Sequence, residues 1–173
     1  MSDPEVCSVR PARPSDVPAV VAMVHELAEY EKAPQLCHLT PAQLTDALFP
    51  ADAPAALFGH VAVDEQDTPV AFGLWFLNFS TWEGRHGIYL EDLYVRPAAR
   101  GTGAGRALLG ALAQECVRRG YPRLECWVLH WNPARDFYQA IGATAMTEWV
   151  PYRLSGEALR RLAAGASPVE PHR

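Results

Sequence analysis

The stretch that most restricts the fold runs from Ile88 through Val95 into Arg96-Pro97-Ala98-Ala99-Arg100-Gly101-Thr102-Gly103-Ala104-Gly105-Arg106. A helical apolar period at Leu108, Leu109, Leu112 and Cys116 follows. An extended apolar run, a turn with glycine at every second position and a helix form one strand–turn–helix unit, which belongs in a sheet covered by helices. Glycines let successive backbone N–H groups converge, and a helix start adds partial positive charge, so the turn suits a phosphate. Arg100 and Arg106 add two fixed positive charges matched to phosphate oxygens. A Walker loop would close on Gly-Lys-Ser/Thr, and Arg106-Ala107 stands here instead, which argues against nucleotide hydrolysis. A dinucleotide fingerprint needs glycine in place of Arg106 and follows the first strand of a fold, not the fourth. Two readings remain: the pyrophosphate of another cofactor, or a glycine-rich helix start with no ligand.

The rest of the chain alternates strands and helices around this unit. Glu5 to Arg10 reads as a strand, and Ser15 as the N-cap of a helix carrying Val17, Val20, Val21, Val24, Leu27 and Ala28 on one face. A shorter helix follows Thr40-Pro41 with Leu44 and Leu48 inward. Residues 56–64 and 69–79 read as strands joined by a turn at Glu65 to Thr68. After the helix closed by Gly120 come a strand from Leu124 to Leu129 and a helix capped by Asn132 and opened by Pro133. A last strand over Ala143–Arg153 and a helix over Ser155–Ala164 complete an α/β (α+β) domain with a mixed sheet. Residues 1–164 are expected to form one domain, and 165–173, with two prolines and no apolar period, a loose tail.

Composition narrows the function classes. The 173 residues are 49% hydrophobic and 20% charged, an ordinary globule. Fifteen Lys plus Arg against twenty Asp plus Glu give a charge of −5, contrary to the basic face a nucleic-acid binder needs. No apolar stretch is long enough to cross a bilayer, and the acidic opening is unlike a secretory signal, so a cytoplasmic chain is expected. Four cysteines without CxxC spacing and six histidines without HxxxH spacing predict reduced thiols and no metal site.

The run Tyr89-Leu-Glu-Asp-Leu-Tyr-Val-Arg-Pro-Ala-Ala-Arg-Gly-Thr-Gly-Ala-Gly-Arg106 resembles the acetyl-CoA-binding core of the GNAT acetyltransferases. Trp131-Asn132-Pro-Ala-Arg-Asp-Phe-Tyr138 with Ile141-Gly142-Ala resembles the family's second signature. Glu26-Leu-Ala-Glu-Tyr-Glu31, Trp82, Tyr89-Leu-Glu-Asp92 and Phe137-Tyr138 further resemble its diamine (spermidine/spermine) branch and the thialysine-acetylating relatives. Asn132 and Tyr138 stand one residue closer together than that branch usually has them. Either the helix starts one residue later, or Asn132 is displaced from its family position.

The resemblance implies a GNAT-like, mostly antiparallel sheet flanked by helices, acetyl-CoA as co-substrate, a small amine acceptor and a homodimer. Acetyl transfer needs a neutral amine, and an alkylammonium of pKa ~10.4 costs about 4–5 kcal/mol to deprotonate at pH 7. The resemblance implies Glu91 as proton acceptor through a water, Asp92 as anchor for a distal cation, and Tyr138 as proton donor to the departing CoA sulfur. Adjacent strand residues face opposite sides, so only one of Glu91 and Asp92 meets the acceptor unless a bulge intervenes. Tyr30, Glu31, Trp82 and Glu148, the last on the expected final strand, are further candidates for holding the acceptor. Leu93, Tyr94 and Val95 are expected to pair by main chain with pantetheine; Arg100, Gly101, Thr102, Gly103, Ala104, Gly105, Arg106 and Asn132 complete the coenzyme contacts. With no GxSxG elbow and no Cys/His pair, direct attack in a ternary complex is preferred to an acetyl-enzyme. Competing readings are a non-catalytic acyl-CoA-binding module and a nicotinamide-dependent oxidoreductase.

Overall fold

The structure is a computed structural model and describes residues 8–166. The chain falls into two compact units, one ending at Trp127 and one starting at Val128.

The first unit is a five-stranded sheet in the order β1 (Ser8–Pro11), β2 (Phe58–Val63), β3 (Pro69–Ser80), β4 (Arg85–Val95), β5 (Leu124–Cys126). Neighbours are antiparallel except β4 and β5, which are parallel and joined through a helix, as a parallel pair requires. On one face lie α1 (Val17–Tyr30) and α2 (Pro41–Leu48), with Val20, Met23 and Leu44 packed on Val61, Phe72, Leu74 and Tyr94. On the other face the start of α3 (Ala104–Arg119) rests through Ala104 and Leu108 on Ala62 and Ala71. Small side chains on both sides of this contact let the helix start approach the sheet, which fixes the turn before it. Leu108 and Leu112 are fully buried, each contributing ~2 kcal/mol of apolar transfer.

Several local features follow from the sequence as expected. Thr40 caps α2: its Oγ1 accepts from Gln43 N–H at 3.3 Å, while Gln43 Oε1 accepts from Thr40 N–H at 2.9 Å. Gly120 ends α3 with φ +68°, a left-handed cap. The start of α1 differs. Ser15 is not its N-cap; it lies within a 3₁₀ turn over Pro14–Asp16, and Asp16 occupies the cap position before Val17. The Asp16 carboxylate accepts from the Arg13 backbone N–H at 2.7 Å and from Arg10 at 2.7 and 3.1 Å, so it ties β1 to the helix entry.

The second unit holds α4 (Ala134–Ala140) and α5 (Gly156–Ala164). The expected strand over Ala143–Arg153 is absent: the segment has no ladder and is exposed throughout, and Pro151 lacks the N–H that a strand would use. The β5 strand also stops at Cys126 rather than Leu129. Residues 5–7 of the expected first strand and, from residue 167, the expected tail lie outside the described residues.

Candidate active site

A bulge does intervene at the acid pair. Leu74 pairs with Asp92 and Trp75 with Leu90, leaving Glu91 as the extra residue of β4. Parity therefore breaks between Leu90 and Asp92. Directly opposed residues share a face, so Asp92 and Tyr94 join Leu74 and Phe72 on the side covered by α1 and α2.

The end of α1 meets this part of β4. Tyr30 is the last helical residue and Glu31 the cap, after which Lys32 turns the chain at φ +60°. Burial, then the charges of Glu91 and Glu31, push the Asp92 carboxyl up to about 6. Burial also raises Glu31. The Arg100 guanidinium lies 5.4 Å from the Tyr30 ring centroid and 5.7 Å from that of Tyr94, with Nε donating to Val95 O at 3.1 Å. Glu26 pairs with Arg96 at 3.1 Å and, after burial, helps raise the Tyr94 hydroxyl's pKa. This Glu26–Arg96 tie was not singled out in the sequence, where an i-to-i+70 pair leaves no pattern. Trp82 lies in the turn between β3 and β4 and is 90% exposed.

On its far edge β4 pairs with β5 only at Ile88, Tyr89 and Leu90. Beyond the bulge, among the described residues, Leu93, Tyr94 and Val95 have a strand neighbour only in β3. The open edge leads into a 3₁₀ turn over Pro97–Ala99 and then the glycine turn. Gly101 and Gly103 adopt φ +83° and +89°, and a Cβ on either would meet nothing within 4 Å, so open space lies before them. Thr102 Oγ1 donates to Ala99 O at 2.7 Å and steadies the turn. Ala107 N–H donates to Gly103 O at 2.9 Å as the first rung of α3, and no side chain caps the helix. The N–H groups of Ala104, Gly105 and Arg106 therefore have no acceptor within the helix, an arrangement chemically suited to an anion.

A family model described as the acetyltransferase (GNAT) family matches residues 22–143. The chain belongs to the GNAT acetyltransferase family. Thialysine N-epsilon-acetyltransferase of Bos taurus is 36% identical over 164 residues, covering 90% of this chain and 96% of that protein. L-ornithine N5-acetyltransferase of Arabidopsis thaliana is 28% identical over 200 residues, covering 89% and 86%. Among solved structures, an integron cassette protein of V. cholerae superposes with a TM-score of 0.74 at 24% identity, covering 90% of this chain and 96% of that one, a likeness of fold. This GNAT chain is therefore an acetyltransferase, and enzymes of the family use acetyl-CoA as co-substrate. Among the described residues no group of three or more His, Cys, Asp or Glu could hold a metal, and no helix is long and apolar enough to cross a membrane.

The remaining GNAT-signature residues lie in the second unit. Asn132 Oδ1 accepts from Ala134 N–H at 2.9 Å, the bond of a capping side chain, Pro133 already has helical backbone angles, and α4 runs regularly over Ala134–Ala140. Tyr138 is half-buried on α4, its ring 5.4 Å edge-on from that of Phe137. Glu148 is exposed in irregular chain and does not stand on a strand.

Proposed function

We propose that this enzyme transfers acetyl from acetyl-CoA to a primary amine of a small cationic acceptor, a thialysine-like amino acid, a diamine or a polyamine. The amine attacks directly in a ternary complex within a single domain over residues 1–164. The observation that carries this reading is the open edge of β4, running from the Glu91 bulge into the glycine turn, with Asp92 beside it. The edge suits the amides of pantetheine, and the turn with Arg100 and Arg106 suits the diphosphate. Relatives named for thialysine and ornithine support an acceptor carrying a side-chain amine.

The reaction forms a bond from the amine nitrogen to the thioester carbonyl carbon and breaks the bond from that carbon to sulfur. The amine loses one proton and the thiolate gains one. Asp92, held near pKa 6, is better matched to accept the amine's proton through a water than an ordinary carboxylate near 4. We therefore exchange the roles implied by resemblance: Asp92 takes the proton, and Glu91 with Glu31 attracts the acceptor's charge. Tyr30 and Trp82 border the acceptor, and Glu148 is kept as a distal anchor. Tyr138 is assigned the proton for the thiolate, and Asn132 a place beside the coenzyme, as their motif implies. The protein acts in the cytoplasm as a homodimer, without nucleic acid or membrane.

Purified protein mixed with acetyl-CoA and a panel of thialysine, lysine, ornithine, diamines and spermidine tests the reading. Release of CoA thiol with at least one amine, reduced about a hundredfold in Tyr138→Phe, is expected. Binding of acetyl-CoA without thiol release from any amine would overturn it in favour of a non-catalytic module.

A further inference from the structure

At the opposite end of α3 the first unit carries a cleft of about 410 Å³. The helix has 16 residues, which at ~1.5 Å each puts its ends about 24 Å apart. None of the residues assigned above to donor or acceptor lines the cleft. Its walls are largely apolar: Leu48 ends α2 and Phe49 follows it, Leu57 precedes β2 and Phe58 opens it, and Trp75 comes from β3. Trp75 stacks on Phe58 with ring centroids 4.5 Å apart, so the aromatic wall is rigid.

Two polar features face this wall. The Trp75 indole N–H donates to His60 Nδ1 at 3.0 Å. An indole only donates, so Nδ1 accepts, and neutral His60 carries its proton on Nε2. Burial lowers the His60 pKa against an opposing pull from Glu115, so the ring offers a donor without charge at neutral pH. At the rim one carboxylate, Glu115, takes both Arg118, through Nε and Nη2 at 3.0 and 2.7 Å, and Arg119. Two guanidinium groups on one carboxylate leave a unit of positive charge. A guanidinium has five N–H donors, more than this shared carboxylate engages.

We propose that the cleft is a second ligand site, for a small monocarboxylate with a flat apolar body, such as an aryl carboxylate. Its ring lies along Phe58 and Leu57, and its carboxylate meets the Arg118–Arg119 pair. The rim charge selects an anion over an amine. The apolar wall selects a hydrocarbon body over a bare phosphate or sulfate, and the volume is that of a small-molecule site.

Calorimetry on the full chain with phenylacetate, phenylacetamide and phenethylammonium provides the test. Phenylacetate is expected to bind about tenfold or more tightly than its amide, and the ammonium not at all. Saturating CoA is expected to leave that affinity unchanged, because the donor turn lies at the other end of α3. Glu115→Gln, which removes the competing carboxylate, is expected to tighten phenylacetate severalfold. The double change Arg118→Gln with Arg119→Gln is expected to abolish binding while the melting curve stays cooperative. The proposal falls if phenylacetate and its amide bind alike, if Glu115→Gln weakens binding, if CoA competes, or if nothing binds up to about 10 mM.

Discussion

Asp92 combines a cost to the fold with the proton-accepting role proposed for it. Its folded pKa of about 6 lies above the ordinary carboxylate value, so the folded state binds more protons than the unfolded state between roughly pH 4 and 6. Stability contributed by the protonated form is present at low pH and is lost as pH rises through that window. Asp92→Asn is therefore expected to stabilise the protein by roughly 2 kcal/mol at pH 8 and by nothing near pH 3, read from urea melts at the two pH values. The same change is expected to cut kcat/KM about a hundredfold and to erase an acidic limb near pH 6 in the rate profile. Gly103 makes a complementary case. A Cβ there has open space before it but a backbone at φ +89°, so Gly103→Ala is expected to cost about 1–2 kcal/mol in stability. It is also expected to raise KM for acetyl-CoA about tenfold, since the methyl group stands where the diphosphate would approach. The glycines and the acid pair were legible in the sequence as residue types at a spacing. Which acid faces α1 was not, because one skipped pairing inverts the parity of a strand without altering a letter of it.

Among the elements, those with a strong apolar period and their own caps were readable: α2 with its Thr40–Gln43 box, α3 with Gly120, and the β2–β3 hairpin. The entry to α1 was misread because Ser15 is a good cap by type. The cap position went to Asp16, whose carboxylate serves Arg10 and Arg13 together, and no local pattern shows that a strand residue six places upstream will claim it. Burial works to raise the Asp16 pKa, while hydrogen bonds from Arg10 and the Arg13 backbone prevail and lower it. Its contribution is thus present above the ordinary carboxylate pKa and lost as pH falls through the lowered one. Asp16 is only 4% exposed, so Asp16→Ala, which leaves Arg10 without its inner partner, is expected to cost about 3 kcal/mol at pH 7, measured by denaturant unfolding. The segment Ala143–Arg153 was expected to be the last strand and forms none. The ladder that makes a segment a strand comes from a neighbour, which no window of sequence contains.

At the scale of the whole molecule, the family match over residues 22–143 runs across the boundary between the two compact units. The segment from Met146 to Leu162 leaves Met146, Trp149, Val150, Tyr152 and Leu159 all more than half exposed. We take this stretch as the face of the proposed homodimer. The proposed homodimer is expected to sediment at twice the 19.0 kDa of the chain. Trp149→Glu with Tyr152→Glu is expected to shift it to the single-chain mass, and a single-chain mass for the unaltered protein would remove the dimer.

The margin of β4 that has no strand neighbour among the described residues has a consequence for the protein's life outside the assay. In the proposed binding mode a thioester donor hydrogen-bonded there stands in for a further strand and belongs to the architecture as well as to the reaction. By mass action, a donor at a hundred times its dissociation constant adds about 2.7 kcal/mol to the folded state. Turnover of the enzyme by proteases would then follow the supply of activated acetyl groups, with starvation for acetyl units shortening the half-life of the catalyst that consumes them.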